Sequence, residues 1–261
     1  MPVVCRLWWV VLGLLAAQPL LAAQLIKVGA YHFPPYVSKP EAEQAQGLLP
    51  DLLSALNAEQ GEYQFVLVPT SVTRRFRDLQ SARYDLIMFE SPSWGWQNTP
   101  HETFDLQVQD AEVYVAKAVA GRGQDYFAQF SGKRMALYSG YHYGFAQFNA
   151  DPEYLTKQFN AVLTYSHDSN LLMVLRERAD LTVVTRSYLH HYLLRYPEQR
   201  PQMLVSERVD QVYRHQALLR PHAPISAQAL RSLLQRLREG GQLSALYRQY
   251  DLTQSRQVAR P

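Results

Sequence analysis

Apolar residues fall along this chain in two periods. Short runs rich in β-branched residues at 25–30 (LIKVGA), 63–68 (YQFVLV), 85–89 (DLIMF) and 181–185 (LTVVT) predict buried strands. Runs at 112–118 (EVYVAKA), 132–139 (GKRMALYS) and 216–220 (QALLR) predict three more. Helical spacing predicts a helix over 50–59, with Pro50 in its first turn and Leu52, Leu53 and Leu56 on one face. A second is expected over 73–83, capped by Thr73, with Phe76 and Leu79 inward and Arg74, Arg75 and Arg77 on other faces. Further helices are expected around 143–148, over 170–178 and over 187–196, the last stopping at Pro197. Ser226 caps a helix that carries Leu230, Leu233, Leu234 and Leu237 on one face. Gly240-Gly241 ends it, and Leu243, Leu246 and Tyr247 form a final amphipathic turn. Pro34-Pro35 makes 31–36 a loop, since neither residue suits helix or ladder.

Strand, helix, strand, helix, strand with short connections argues for a parallel α/β sheet. The pattern then starts again after residue 131. Two α/β sets in one chain of 261 residues fit two lobes with a cleft between them. Ligand sites of open α/β sheets form at strand C-terminal ends and at domain interfaces.

The first 23 residues read as an address. Arg6 precedes an apolar run over 7–17, and Ala22 and Ala23 follow as small residues. That is the pattern of a secretory signal peptide cleaved after Ala23. The run is short for a membrane anchor and meets Gln18 and Pro19. The sole Cys, Cys5, precedes it and would leave with it, so export without disulfides is expected. Composition adds little against this picture. With 26 Lys+Arg, 23 Asp+Glu and a net charge of +3, there is no basic stripe for nucleic acid. The 17 Tyr and 4 Trp are an aromatic surplus that serves cores and pockets alike.

Several segments together resemble the bacterial extracellular solute-binding proteins of family 3, the periplasmic receptors of polar amino acid ABC transporters. They are 26–36 (IKVGAYHFPPY), 47–56, Leu79 with 84–87 (YDLI), Gly132-Lys133 with Ser139-Gly140, 178–180 (RAD) with Thr185, and the closing 237–250 (LREGGQLSALYRQY). The resemblance implies a type II periplasmic-binding fold, two α/β lobes joined by a two-crossing hinge. Residues 24–110 and 208–261 would form lobe 1 and 111–207 lobe 2, with crossings near 110–113 and 206–209. It implies a monomeric periplasmic protein with no cofactor, capturing a small-molecule solute for ABC permease subunits in the inner membrane.

The departures from that family matter as much. Its Arg clamp for a ligand carboxylate falls here on Gln97, and a preceding Thr on Trp94. The Asp that ends the second-lobe strand and receives the ligand amine is here Thr185. Both charged partners of an α-amino acid are thus neutral, and a buried unpartnered charge costs several kcal/mol, roughly. A solute that is amino acid-like or a derivative, rather than a standard α-amino acid, is expected.

The candidate ligand-binding residues follow from the same alignment. Tyr31 and Phe33 stand where the family places stacking aromatics, with core packing beside the Pro pair as the alternative. Arg74 stands where divergent relatives carry an anion-binding Arg, while Arg75 and Arg77 would supply a solvated face. Glu90 and Ser91 follow the third strand at a ligand-contacting position, and Glu90 would either receive a cation or pair with a nearby Arg. Trp94 offers a face for stacking or cation–π contact, worth about 0.5–2 kcal/mol. Tyr138, Tyr141 and His142 flank Gly140 at a strand-to-helix turn where the family binds carboxylate.

No metal is expected, because His190-His191 point apart on a helix and no ligand recurs at metal spacing. No phosphate loop and no G-x-S-x-G nucleophile motif occurs. The expectation is a non-enzymatic receptor. The alternatives are a ligand-presenting sensor for a membrane signalling protein, and a dehydratase-like enzyme of the same fold with Glu90 as acid–base.

Overall fold

The structure, a computed structural model, describes residues 22–254. The expected signal peptide at 1–23 lies, except for its last two residues, outside them. Among the described residues no helix is long and apolar enough to cross a membrane.

The chain opens with β1 (Gln24–Ala30), α1 (Leu48–Glu59), β2 (Tyr63–Pro69), α2 (Arg75–Gln80) and β3 (Leu86–Glu90). β1 pairs in parallel with both β2 and β3. The middle of the chain holds β4 (Glu102–Lys117), β5 (Met135–Tyr138), α3 (Pro152–Phe159), β6 (Ala161–Thr164), α4 (His167–Leu175), β7 (Leu181–Thr185) and α5 (Arg186–Arg195). β5 is parallel to β6 and β7. The chain ends with β8 (Met203–Leu219), α6 (Ala227–Glu239), α7 (Gln242–Gln249) and β9 (Thr253–Gln254).

All strands belong to one mixed sheet in the order β2-β1-β3-β8-β4-β7-β5-β6, with β9 on β4. The two long strands are antiparallel to each other. The end of β8 pairs with β3, and the second half of β4 pairs with β7. β4 and β8 therefore run from one set of parallel strands to the other. α6 and α7 return to pack on α1, beside the first set.

Local chemistry explains most boundaries. α1 begins at Leu48, earlier than its Pro suggests, because Gly47 at its N-cap adopts a φ of 121°. That turn carries Leu48 and Leu49 into the core with Leu52, Leu53 and Leu56. α6 starts at its Ser226 cap, whose hydroxyl accepts from Ala229 N, and buries the four expected leucines. α3 was not anticipated, although Asp151 caps it and Pro152 occupies its first turn. The helix expected around 143–148 is only a 3-10 turn, Gly144–Ala146.

The two long strands were read only in part. The first half of β4 buries Phe104, Leu106 and Val108 in strict alternation. β8 carries charged residues at Glu207, Arg208 and Asp210 within its span, which hides its strand character. At this point the ladder shifts, since Glu112 faces Gln211 while Val113 faces Val209. Asp210 is the extra residue of that bulge. Its carboxylate accepts from Tyr114 Oη at 2.6 Å, Gly144 N at 2.6 Å and Phe145 N at 2.8 Å. The bulge thereby fixes the loop after β5.

Hydrogen bonds to a charged acceptor contribute about 1.5–3 kcal/mol each. Asp210→Ala is therefore expected to lower the unfolding free energy by about 2 kcal/mol or more, read from the urea midpoint. A shift below about 0.5 kcal/mol would mean that the bulge does not hold the loop.

Candidate functional site

The C-terminal ends of β1 and β3, the start of α2, the loop after β3, the middle of β4 and the turn after β5 meet at one cavity. Its lining includes Tyr31, Phe33, Val72, Arg75 and Trp94 on one side, and Glu112, Gly140, Tyr141 and His142 on the other. Its volume is about 10 Å³, room for about one water. A wider depression of about 240 Å³ adjoins it, lined by His32, Ser71, Tyr138, Ser139 and Tyr165 among others.

Aromatic side chains fill most of the space. Phe33 lies at the centre, with Trp94 and Tyr141 edge-on at 5.8 Å each and Tyr31 stacked at 5.8 Å. Tyr138 packs on Tyr141 at 4.4 Å. Tyr31, Phe33, Trp94 and Tyr141 are each at least nine-tenths buried. The Tyr141 hydroxyl, also buried, makes no hydrogen bond among the described residues. Two glycines let the walls meet. Gly140 has a φ of 82°, and a Cβ there would come 2.9 Å from Val72. Gly95 has a φ of 86°, and a Cβ there would come 3.0 Å from His142 Nε2.

The charged floor corrects one expectation. Arg74 is exposed at the N-cap of α2, and its guanidinium donates to Ser71 Oγ. Arg75 turns inward instead. α2 begins at Arg75, one position later than a Thr73 cap implies, and neighbouring helix positions point about 100° apart. Arg75 Nε lies 3.3 Å from Glu90 Oε1, both side chains being buried. Arg75 also donates to Val72 O and, at 3.0 Å, to Trp94 O. Its guanidinium lies over Phe76 at 4.3 Å and Tyr31 at 5.2 Å. Trp96 Nε1 donates to Glu90 Oε2 at 2.8 Å. Glu90 is the last residue of β3, and Phe89 before it has a φ of 62° within a register shift. That bulge aims the carboxylate at α2. Burial raises the Glu90 pKa, against the opposing pull of Arg75 and the Trp96 and Tyr31 hydrogen bonds.

The remaining expected residues divide. Ser91 is buried outside the cavity lining. Tyr138 lies in the adjoining depression. Thr185 is buried at the end of β7, directly across the ladder from Glu112. Glu112 and Gln211 were not anticipated. Gln211 Oε1 accepts from Trp94 Nε1 at 3.2 Å, and its Nε2 donates to Glu112 Oε2 at 3.0 Å and His142 O at 2.7 Å. One amide thus ties the Trp loop, both long strands and the turn after β5. The signal for Glu112 was a charge heading an otherwise apolar strand run. Gln211 left no comparable mark. Among the described residues no group of three metal-ligating side chains occurs.

Removing one member of a buried ion pair costs about 3–5 kcal/mol. Glu90→Gln is expected to cost at least about 2 kcal/mol in urea unfolding, since the amide retains some hydrogen bonding. Arg74→Ala is expected to cost under about 0.5 kcal/mol. Equal effects would reverse the assignment of the two arginines.

A second expectation concerns acid. His215 is enclosed by Tyr36, Tyr213 and Phe89, and burial lowers its pKa to about 3. Burial likewise lowers His167 to about 3. In the unfolded chain each titrates near 6.5, roughly. The unfolded state therefore binds protons that the native state refuses, and this part of the stability, complete above pH 6.5, fades as pH falls towards about 3. Glu90, Asp110 and Glu112, all raised by burial, act in the opposite sense. The readout is therefore a difference. His215→Phe is expected to make the stability change between about pH 7 and pH 5 more favourable by about 2 kcal/mol. An unchanged profile would show that His215 charges freely in the native state.

No protein-family model and no curated protein matches the sequence. Solved structures do match in shape. A substrate-binding protein of an ABC uptake transporter from Streptococcus pneumoniae, with bound histidine, aligns at TM-score 0.68 and 16% identity, covering 87% of this chain and 92% of its own. The GluR0 ligand-binding core from Nostoc punctiforme, in complex with L-glutamate, aligns at 0.65 and 15% identity, covering 86% and 98%. An ancestral amino acid-binding protein, a precursor of cyclohexadienyl dehydratase, aligns at 0.62 and 18% identity, covering 87% and 94%. At such identities the likeness concerns architecture, and the chain has the α/β type II periplasmic-binding-protein fold.

Proposed function

We propose that the protein is a solute receptor that captures a small molecule in a cleft between two lobes, 24–110 with 208–261 and 111–207. The hinge would lie where β4 and β8 cross, at the Glu112–Gln211 pairing and its bulge. The observation that carries this reading is the convergence of buried aromatics from both sides of the crossing on one cavity, Phe33 and Trp94 facing Tyr141. A core needs no such seam, whereas a cleft that parts and closes around a ligand does.

In this reading the receptor is periplasmic and delivers its solute to an ABC permease. Support comes from the solved structures of like fold, which include substrate-binding proteins of amino acid transporters. The solute itself is set apart from a standard α-amino acid. Gln97 is exposed, and Thr185 brings no charge. Arg75 spends its charge on Glu90, so no free guanidinium faces the cavity as a carboxylate clamp. Acid–base catalysis by Glu90 is disfavoured on the same ground, since its carboxylate is fully buried and held by Arg75 and Trp96.

The test is a thermal-shift screen of small polar solutes, followed by titration of any hit. A true ligand at about 100 times its dissociation constant stabilises the protein by about 2.7 kcal/mol. Trp94→Ala is expected to weaken binding at least tenfold, about 1.4 kcal/mol. A screen in which no solute raises the melting temperature would count against a small-solute receptor, and unchanged affinity would place Trp94 outside the ligand site.

A further inference from the structure

We infer that the cavity is built for a small organic cation, its ammonium group received by Glu112 and its carbon skeleton lodged against Phe33, Trp94 and Tyr141. This rests on the receptor reading and names the chemistry of its solute.

Glu112 is 3% exposed and yet lines the cavity. Among the described residues it forms no ion pair, and its carboxylate accepts from the neutral amide of Gln211. A carboxylate so placed lacks the compensation that a buried charge requires. The charges around it do not supply any. Asp210, beside Gln211 on β8, and Asp110, on β4 itself, are both acidic and both raise its pKa, after the larger effect of burial. Arg75, on the opposite wall, is engaged by Glu90. His142, on the turn after β5, is lowered to about 4 by burial and by Arg75, so it is neutral at pH 7. Tyr141 and Tyr143 on the same turn have their pKa values raised well above 10 and remain uncharged. Thr185, across the ladder on β7, is neutral.

The apolar wall points the same way. Ring faces carry negative potential and attract ammonium carbons, whereas they repel an anion. The unpartnered Tyr141 hydroxyl adds one group able to bond a polar substituent of the solute. With room for about one water, the solute enters by replacing the Phe33–Trp94 and Phe33–Tyr141 contacts rather than by filling a preformed void.

A proton follows from the burial of Glu112. Burial shifts its carboxyl towards the neutral form, and a cation drawn against it shifts it back towards the carboxylate. Binding then releases the carboxyl proton to solvent, and affinity for the cation rises with pH.

The experiment uses the full chain and a panel in three classes: organic cations (choline, ethanolamine, putrescine, tyramine), zwitterions (betaine, histidine, glutamine) and carboxylates (acetate, benzoate, succinate). Hits are titrated calorimetrically in buffers of different ionisation enthalpy. Hits among the cations, with proton release in the parent protein, are expected. Glu112→Gln, nearly isosteric, should weaken cation binding at least tenfold and abolish the proton release. Should that variant unfold, the pH dependence of the parent decides alone, since cation affinity that does not rise with pH overturns the role of Glu112. Hits confined to zwitterions or carboxylates overturn the inference and leave the receptor reading standing. A panel with no hit in any class overturns both.

Discussion

A single antiparallel ribbon, β4 against β8, carries the architecture. Every other strand reaches its place through it, because β3 attaches to the end of β8, β7 to the second half of β4 and β9 to its first half. Main-chain ladder bonds make this link continuous, and a two-stranded ribbon twists more readily than a wide sheet. The bulge at Asp210 concentrates that twist where Glu112, Gln211 and the turn after β5 come together. In the proposed receptor the recognition chemistry sits on the element that would bend, which would couple occupancy of the cavity to the angle between the two strand sets.

The Arg75–Glu90 pair plays a complementary part. Two charges taken out of water are tolerated there because each holds the other and both have further partners. Through Trp94 O and Trp96 Nε1, the pair also fixes the loop that follows β3. Paired in this way, neither charge is left for a ligand, and in the proposed receptor recognition would pass to ring faces and to Glu112.

Much of this was legible in the sequence wherever the signal is local. The leucine face of α6 and its Ser226 cap can be read from period and cap chemistry alone, as can the apolar run of β7. The first half of β4 shows alternation at Phe104, Leu106 and Val108, yet polar residues between them make it resemble a loop until its partner strand is known. β8 was hidden more deeply, because its charged middle belongs to a bulge with tertiary uses. Tyr31, Phe33, Trp94, Tyr141 and His142, singled out through the family resemblance, all line the cavity. Arg74 and Arg75 could not be told apart, since the choice depends on where a six-residue helix starts. Glu112 and Gln211 escaped because a site made at a strand crossing has no sequence motif. Their meaning comes from residues about a hundred positions apart, as the Gln211–Glu112 hydrogen bond shows.

That long separation has a consequence for the order of folding. β3 has β1 on one side and β8 on the other, so its outer edge stays open until the last third of the chain has been made. Loop closure over such a distance delays pairing, and high contact order slows folding generally. The first strand set is therefore the earliest to be synthesised and among the last to be completed. A chain ending before Met203 would present an unpaired strand edge, apolar at four of its five residues (LIMFE), the kind of surface that recruits other chains.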